Sequence, residues 1–485
     1  MVAAVSAESF LWHDYETFGR DPARERPAQF AAIRTDLNLE PTGDSTMIYC
    51  RQSADYLPDP ESCLVHGVLP QTANEQGLSE WEFANTINSL MTHPGTCTVG
   101  YNNIRFDDEF SRQLFFRNLM DPYAREWQNG NSRWDLIDVV RLARALRPEG
   151  IEWPVTEDGK PSNKLELLTE ANGISHSNAH DALADVYATI AMAKLLKEKQ
   201  PRLYDFAFSI KNKRAIFAHL NVVSKPAMLH VSGMYASETG NISIVMPLGP
   251  HPGNQNGILV YDLRHDPADL IKLNKEEIAI RLFTRQADLP EGQQRIAVKT
   301  VHANRCPVVA PLKTMTAEGA RRLKLDVNLA LQYREQLIAN PHAIEKLAWA
   351  FAARDYPNVS DPELTLYSGQ FASDKDRHTM KQVQSSLQSG QTGALFSFDD
   401  DRLNEIWLRL RARHNPDSLS AQDQTSWQAF CRQRVHTGVD GFRTISDYEA
   451  SLIELNASLT GKKSTELIGK LQAYGKQVAA YTESV

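Results

Sequence analysis

Strand-like and helix-like patterns alternate along roughly the first 200 residues, and this mixed order limits the possible folds more than any other feature. Aromatic and β-branched runs bounded by turn residues predict strands, and two of them form a hairpin around residues 41–44. Leu183, Val186 and Ile190 have the spacing of an amphipathic helix that ends before Pro201. Such an alternation predicts an α/β layer fold. The predicted strands are 10–16, 30–34, 47–50 and 97–100, with a further helix at 81–91.

The rest of the chain divides into two further regions. A chain of 485 residues is too long for one hydrophobic core, and about 150 residues per domain suggests roughly three domains. Short strands separated by Gly, Pro and Asn turns predict a β-rich second domain, and helical patterns dominate the third. We therefore predict domains at 1–200, 201–355 and 356–485. The clearest later elements are strands at 228–234, 242–248, 257–263 and 296–302 and helical segments at 402–413 and 447–481.

Composition is that of an ordinary globular protein and bears on the cellular compartment. No stretch has the ~20 apolar residues of a membrane span, and the first ten residues lack the features of a signal peptide. The five cysteines lie far apart and include no C-x-x-C pair, which favours reduced thiols over a disulfide framework or a structural zinc site. We expect a cytoplasmic protein without membrane contacts.

Arginine is concentrated in one segment, although the net charge of the chain is −8. Residues 105–147 hold eight arginines and no lysine, with aromatic residues between them. Guanidinium groups suit phosphates and aromatic faces suit unpaired bases, so the segment predicts a path for a single nucleic-acid strand. A binding groove needs only local positive charge, so the net charge does not oppose this interpretation. The alternative is a solvated helical surface with ordinary ion pairs, because Asp and Glu are mixed through the same segment.

Three short motifs in the first region carry the candidate chemistry. Asp14 and Glu16 are two apart on a predicted strand, so their carboxylates point to one face and suit a hard divalent cation. Among 60 acidic residues this spacing also arises by chance. The second motif, residues 100–107, is a strand that leads through a loop to Asp107. In the third, His180 lies at a helix entry and Asp185 one turn further, so that a base and a metal ligand reach one cleft.

The three motifs, in this order and spacing, resemble those of the DEDDh exonucleases, which share a ribonuclease-H-like fold. The likeness to bacterial exonuclease I is closer and extends over nearly the whole chain, with its motifs at residues 13–19, 101–109, 147–151, 178–194 and 230–234. The resemblance implies an α/β exonuclease domain, a β-rich SH3-like domain and an all-α C-terminal domain. It also implies processive 3′–5′ degradation of single-stranded DNA to 5′-mononucleotides, with roles in DNA repair and recombination.

The resemblance also implies which residues bind metal. Asp14, Glu16 and Asp185 would hold two Mg²⁺ ions, which Mn²⁺ could replace, and Asp107 would complete the site. The two acidic residues after Asp107 are rivals for its place, but the Asn-x-x-Phe-Asp pattern selects Asp107.

His180 is the general base that the resemblance implies. A related subfamily has a tyrosine four residues before the last aspartate, where this chain has Asp181, and this favours the histidine form. Considered alone, a histidine such as His180 is more often a helix-capping or core residue than a base. His176 and His180 also have the spacing of a helical zinc pair, but no third ligand accompanies them.

Candidate substrate contacts are spread over the first two regions. Lys164 stands where the family tends to have arginine, and lysine keeps the charge but loses the bidentate fork. Phe18 and Tyr101 are either core residues or stacking partners for nucleotides. The resemblance further implies binding of the acidic, apolar C-terminal tail of single-stranded-DNA-binding protein, with Arg147 as a candidate contact. The complete predicted set is Glu16, Arg112, Tyr123, Trp127, Arg141, Arg147, Lys164 and Arg214.

Two other functions stay open. One is an exonuclease of the same superfamily that acts on RNA or small oligoribonucleotides, although such enzymes are usually short dimers and the resemblance here implies a monomer. The other is a non-catalytic binding scaffold, which the loss of an acidic residue would signal, and none is missing. Every predicted catalytic residue precedes Gln200. A fragment that ends there should therefore keep the chemistry, if it folds, and lose processivity.

Overall fold

The computed structural model describes residues 8–176, 181–352, 359–391, 394–458 and 462–483. Over these ranges the strands are β1 (Ser9–Thr17), β2 (Pro27–Thr35), β3 (Thr46–Tyr49), β4 (Thr96–Gly100), β5 (Ser132–Asp135), β6 (Met228–Val231), β7 (Ile242–His251), β8 (Asn254–Asp262), β9 (Val298–His302) and β10 (Val309–Pro311). The helices are α1 (Pro60–His66), α2 (Pro70–Gln76), α3 (Glu80–Thr92), α4 (Asp107–Arg117), α5 (Leu136–Leu146), α6 (Leu165–Ala171), α7 (Ala182–Lys199), α8 (Pro201–Ser209), α9 (Lys213–His219), α10 (Ala268–Lys272), α11 (Lys275–Phe283), α12 (Ala317–Arg322), α13 (Val327–Ala339), α14 (His342–Ala352), α15 (Asp374–Gln388), α16 (Asp401–His414), α17 (Ala421–Thr437), α18 (Ile445–Ser458) and α19 (Lys462–Glu483).

These elements form two compact units that do not follow the order of the chain. The first unit comprises Met1–Ser132, Ser177–Tyr187 and Pro357–Val485, and the second comprises Arg133–His176 and Ala188–Tyr356. The C-terminal helices therefore belong to the same unit as the first strands. The three domain boundaries proposed from the sequence remain predictions.

In the first unit β1 is an inner strand. It pairs antiparallel with β2 and parallel with β4, and β3 pairs with β2 on the far side. Phe10, Leu11 and Trp12 are almost completely buried, as expected for a strand that is covered on both faces. The predicted strand and the predicted hairpin are both confirmed. The strand that carries two candidate metal ligands is thus held by hydrogen bonds on both edges.

The C-terminal helices complete the hydrophobic core around this sheet. One core cluster joins Tyr15 and Phe83 to Ile406 and Trp407 of α16. A second cluster joins Phe18 and other early residues to side chains of α18 and α19, among them Tyr448, Leu471 and Tyr474. A fragment that ends at Gln200 would expose both clusters to water. The expectation that such a fragment keeps the chemistry applies only if the fragment folds, and its core is not local in sequence.

Buried ion pairs also connect the early part of the chain with its C-terminal helices. The side chains of Asp55 and Glu363 are completely buried, and Arg413 donates to both, at 2.8 Å and 2.6 Å. Arg434 also donates to both, at 2.7 Å and 2.9 Å, and Arg26 donates to Glu363 at 3.2 Å. We call these five residues the buried ion cluster. In this cluster the charges of Arg26 and Asp55 are neutralised by those of residues from the C-terminal part of the chain. Neither part can bury its charges without the other.

The second unit contains an antiparallel sheet in the order β10-β6-β7-β8-β9. The predicted strands are confirmed, but β6 ends at Val231, because Tyr235 N–H bonds back to the Ser232 carbonyl and closes a turn. Ile216, Val245 and Ile258 pack in its core. The unit also contains helices that the strand patterns did not predict.

Two expectations from composition can be compared with the structure. All five cysteines are buried, and no disulfide joins any two of them. Among the described residues, no helix is both long enough and apolar enough to cross a membrane.

Candidate active site

Three carboxylates meet at one end of the first unit's sheet. Asp14 and Glu16 come from β1, where alternate side chains share a face, and Asp185 comes from the first turn of α7. One carboxylate oxygen of each residue lies within 4.8 Å of the corresponding oxygens of the other two. The structure thus brings together two of the three sequence motifs.

The start of α7 is fixed by three hydrogen bonds from backbone N–H groups to side chains. The Asp181 carboxylate accepts hydrogen bonds from Leu183 N and Ala184 N at 3.2 Å and 3.1 Å, so it caps the helix. Ala182 N donates to Gln29 Oε1 at 3.3 Å, and Gln29 stands opposite Glu16 in the β1–β2 register. This capping and pairing place Asp185 beside the strand. The predicted base, His180, lies outside the described residues.

The second motif adds a fourth carboxylate. Asp107 is the first residue of α4 and is buried. Its Oδ1 accepts a hydrogen bond from Tyr15 N at 3.0 Å, on the backbone between the two carboxylate residues of β1. Its rivals have other partners: Asp108 pairs with Arg125 at 2.8 Å, and Glu109 pairs with Arg112 at 2.9 Å. Of these three acidic residues, Asp107 is the one whose carboxylate contacts the backbone of β1.

Electrostatics explain what this arrangement requires. Burial raises the pKa of Asp14 well above its usual value, and the carboxylates of Asp107, Glu16 and Asp185 raise it further. Burial, then Asp185 and Asp107, raise the pKa of Glu16 to about 9. Carboxylates packed this closely repel one another unless a cation lies among them. An all-oxygen donor set of this kind fits a hard divalent cation.

Other metal-binding combinations find less support. Over the parts of the chain that the structure describes, Asp14, Glu16 and Asp185 form the one group of at least three His, Cys, Asp or Glu residues close enough to share an ion. His176 Nδ1 lies 3.1 Å from Thr169 Oγ1. The suggested zinc pair of His176 with His180 falls partly outside the described residues.

Family models match the chain in three consecutive stretches. Residues 11–193 match a model described as Exonuclease, residues 211–353 match the Exonuclease I SH3-like domain, and residues 360–478 match the Exonuclease I C-terminal domain. Exodeoxyribonuclease I of Escherichia coli K12 is 46% identical over 88% of this chain and 89% of its own length. The chain belongs to the exonuclease I family. It is an exodeoxyribonuclease, and its family uses divalent metal ions.

Other relatives agree over the full length. Exodeoxyribonuclease I of Haemophilus influenzae is 42% identical over 96% of this chain and 98% of its own length. The structure of a moderately thermophilic exonuclease I from Methylocaldum szegediense is 46% identical, with a TM-score of 0.93 over 97% of this chain and 100% of that one. E. coli exonuclease I in complex with a dA16 oligonucleotide is 43% identical, with a TM-score of 0.92 and the same coverage. The predicted three-part fold of an exonuclease I is thus confirmed.

Three arginines of the arginine-rich segment lie in buried ion pairs. Arg112 is 3% exposed, and its guanidinium donates to Glu126, Glu109 and Tyr367. This placement argues against Arg112 as a contact for a DNA strand. Arg117 and Arg125 are also buried and pair with Glu80 and Asp108. These three arginines stabilise the fold, which is the alternative that the mixed acidic residues suggested.

Other predicted contacts keep more accessible positions. Trp127 is 66% exposed and Tyr123 is half-buried, with its ring 5.4 Å from the Arg112 guanidinium. In the second unit, Arg214 is exposed in the first turn of α9. Lys164 lies just before α6, with its ammonium 3.7 Å from Glu166. Arg141 is half-buried and pairs with Asp138 at 2.6 Å.

The turn after Glu16 shows what sequence reasoning missed. Phe18 is completely buried in the core, so it is not a stacking partner for a nucleotide, whereas Tyr101 is half-buried. The Phe18 carbonyl accepts hydrogen bonds from Asp59 N at 2.7 Å and from the Tyr56 hydroxyl at 3.1 Å. His66 Nε2 lies 3.1 Å from the Thr17 carbonyl. No local sequence pattern predicts these contacts with the backbone carbonyls, because their partners lie about 40 to 50 positions later in the chain.

Proposed function

We propose that this protein removes nucleotides one at a time from the 3′ end of single-stranded DNA, processively and as a monomer, and releases 5′-mononucleotides. The carboxylate cluster of Asp14, Glu16 and Asp185 carries the proposal, because its oxygens lie within 4.8 Å of one another. The E. coli relative that binds a dA16 oligonucleotide supports the choice of substrate. We place the activity in DNA repair and recombination in the cytoplasm, a compartment in which the thiols of the five buried cysteines would remain reduced.

The proposed cofactor is Mg²⁺, with two ions held by Asp14, Glu16 and Asp185 and with Asp107 completing the site. Bound there, the ions would neutralise negative charge that develops on the scissile phosphate. The protein's own contribution is rigidity: β1 is hydrogen-bonded on both edges, and Asp107 is tied to the backbone of that strand. An E. coli relative with a bound zinc ion and single-stranded DNA supports metal binding in this family.

His180 is the proposed general base, which would take a proton from the attacking water. Its support is the neighbouring geometry: Asp181 caps α7, and Asp185 lies one turn into that helix. General-base catalysis is typically worth 10²–10⁴-fold, so His180→Ala should lower kcat by about that factor. Metal affinity measured by calorimetry should change little. A collapse of metal affinity, with turnover retained at saturating metal, would make His180 a ligand instead.

One experiment separates the proposed function from its alternatives. End-labelled DNA and RNA oligonucleotides of the same sequence are incubated with Mg²⁺ or EDTA, using wild type and Asp14→Asn. We expect successive shortening of the DNA from its 3′ end, only with Mg²⁺ and only by wild type. Faster degradation of RNA would favour the oligoribonucleotide enzyme. Tight binding without any cleavage would favour the scaffold.

We also propose a docking site for the tail of single-stranded-DNA-binding protein in the second unit. A cavity of about 570 Å³ is lined mainly by apolar side chains, including Leu142, Leu203 and Phe206, and by Arg147 and Arg202. This combination suits a short acidic, apolar peptide. A related crystal structure, of SSB/exonuclease I in complex with the inhibitor CFAM, supports the proposal. Arg147→Glu should weaken binding of a fluorescent acidic tail peptide by tenfold or more, while hydrolysis of a bare oligonucleotide stays within twofold.

A further inference from the structure

A second buried carboxylate follows Asp107, and the proposed chemistry does not use it. The Asp108 side chain is completely buried, and its Oδ1 accepts a hydrogen bond from Arg125 at 2.8 Å. Arg125 is equally buried and also donates to the Asp108 carbonyl at 3.4 Å and to Thr98 Oγ1 at 3.5 Å. Thr98 belongs to β4, which pairs with β1 through Leu11 and Thr98. Arg125 therefore connects the first turn of α4 to the sheet.

A second ion pair between the same two segments reinforces this connection. Arg112 forms a fork on Glu126, with Nε to Oε1 at 2.7 Å and a terminal nitrogen to Oε2 at 3.0 Å. Helix α4 supplies Asp108 and Arg112, one helical turn apart, and the short 3-10 turn Ala124–Glu126 supplies Arg125 and Glu126. Each segment thus provides one cation and one anion. We call this arrangement the double ion pair.

The double ion pair includes Asp108, which directly follows Asp107 of the proposed metal site in the chain. Asp107 is the first residue of α4, and its contact with Tyr15 N at 3.0 Å depends on where that helix begins. A paired buried arginine and carboxylate hold a narrow geometry, because their hydrogen bonds are strong and directional. We propose that Arg125 is a positioning residue that acts through Asp108 to fix the start of α4 and so to hold Asp107 beside the carboxylate cluster. This inference rests on the proposed metal-dependent function.

The test compares the same substitution at two buried arginines. Arg125→Lys keeps the charge but loses the fork that reaches both Asp108 and Thr98. The matched control is Arg117→Lys: Arg117 is 1% exposed at the other end of α4, and its fork meets Glu80 at 2.8–2.9 Å. Both variants should melt at a lower temperature. Only Arg125→Lys should weaken Mn²⁺ binding, measured by calorimetry without DNA, by on the order of tenfold. It should lower kcat by a similar factor and leave KM for single-stranded DNA within twofold.

A double-mutant cycle shows whether the effect passes through Asp107. In an Asp107→Asn background, Arg125→Lys should cost no further Mn²⁺ affinity, because the group that it positions has been altered already. If Arg125→Lys does not fold, Asp108→Asn, which keeps the shape of the side chain, takes its place in the same cycle. Additive losses, equal losses in Arg117→Lys, or wild-type Mn²⁺ affinity in Arg125→Lys would overturn the inference. A wild type that neither binds Mn²⁺ nor hydrolyses DNA would instead overturn the proposed function.

Discussion

Replacing Glu363 with glutamine tests how strongly the C-terminal helices stabilise the first unit. The Glu363 side chain is completely buried and accepts hydrogen bonds from Arg413 at 2.6 Å, Arg434 at 2.9 Å and Arg26 at 3.2 Å. Glutamine keeps the shape but removes the charge, and it turns one oxygen that accepts hydrogen bonds into an NH₂ group that cannot. Breaking a buried ion pair by removing one partner costs about 3–5 kcal/mol, since the other charge stays buried without compensation.

The measurement is thermal or denaturant unfolding of the full-length chain. In domains of ~150–250 residues each kcal/mol shifts the melting temperature by about 2–4 °C, so we expect a drop on the order of 6–20 °C. The matched control is Glu405→Gln. Glu405 pairs with Arg409, whose guanidinium also lies 3.7 Å from Glu363, but the Glu405 side chain is 51% exposed. An exposed pair is worth at most about 1 kcal/mol. Equal and small losses in both variants would refute the reasoning from burial.

The same residue predicts a dependence on pH. Burial alone would raise the pKa of Glu363, but the guanidinium groups of Arg413, Arg434, Arg26 and Arg409 outweigh it and hold that pKa well below its usual value. A depressed folded-state pKa contributes stability that is present above the unfolded value of about 4.3 and is lost as pH falls below it. Wild type should therefore lose its stability advantage over Glu363→Gln as the pH is lowered from about 5 towards 2.

Three further predictions concern the active site and the fold. Since the pKa of Glu16 is raised to about 9, metal-free protein should lose stability as pH rises from about 4 through 9; Mg²⁺ should restore it, and Glu16→Gln should show a shallower profile, in which the raised pKa of Asp14 still contributes. A fragment ending at Gln200 should lack a cooperative unfolding transition, because residues such as Ile406 and Tyr448 complete its core; a sharp transition with near-native circular dichroism would contradict this. Single strands should be degraded far faster than blunt duplex, with affinity that falls steeply as salt rises, as for any site that binds several phosphates; a salt-independent Kd would argue against such a site.

The arginine-rich segment shows where reasoning from sequence reaches its limit. Eight arginines among aromatic residues fit a nucleic-acid path and a set of structural ion pairs equally well. The choice depends on which partner each guanidinium meets. Arg112 meets Glu126, 14 positions away, and Arg117 meets Glu80, 37 positions away. Local sequence patterns hold no information on such distant pairs. Arg112 was predicted to contact the substrate, but its side chain is buried in an ion pair with Glu126.

The sequence by itself determined the elements that carry the site and the places of three of its carboxylates. Strand periodicity puts Asp14 and Glu16 on one face, and helix periodicity puts Asp185 beside an apolar stripe, because both periods depend only on neighbouring residues. Only the tertiary structure decided that the C-terminal helices complete the core of the first unit and that Asp108 pairs with Arg125 beside the site. Both are contacts between segments distant along the chain, and they form because buried apolar surface and buried charge must each find partners when the chain folds.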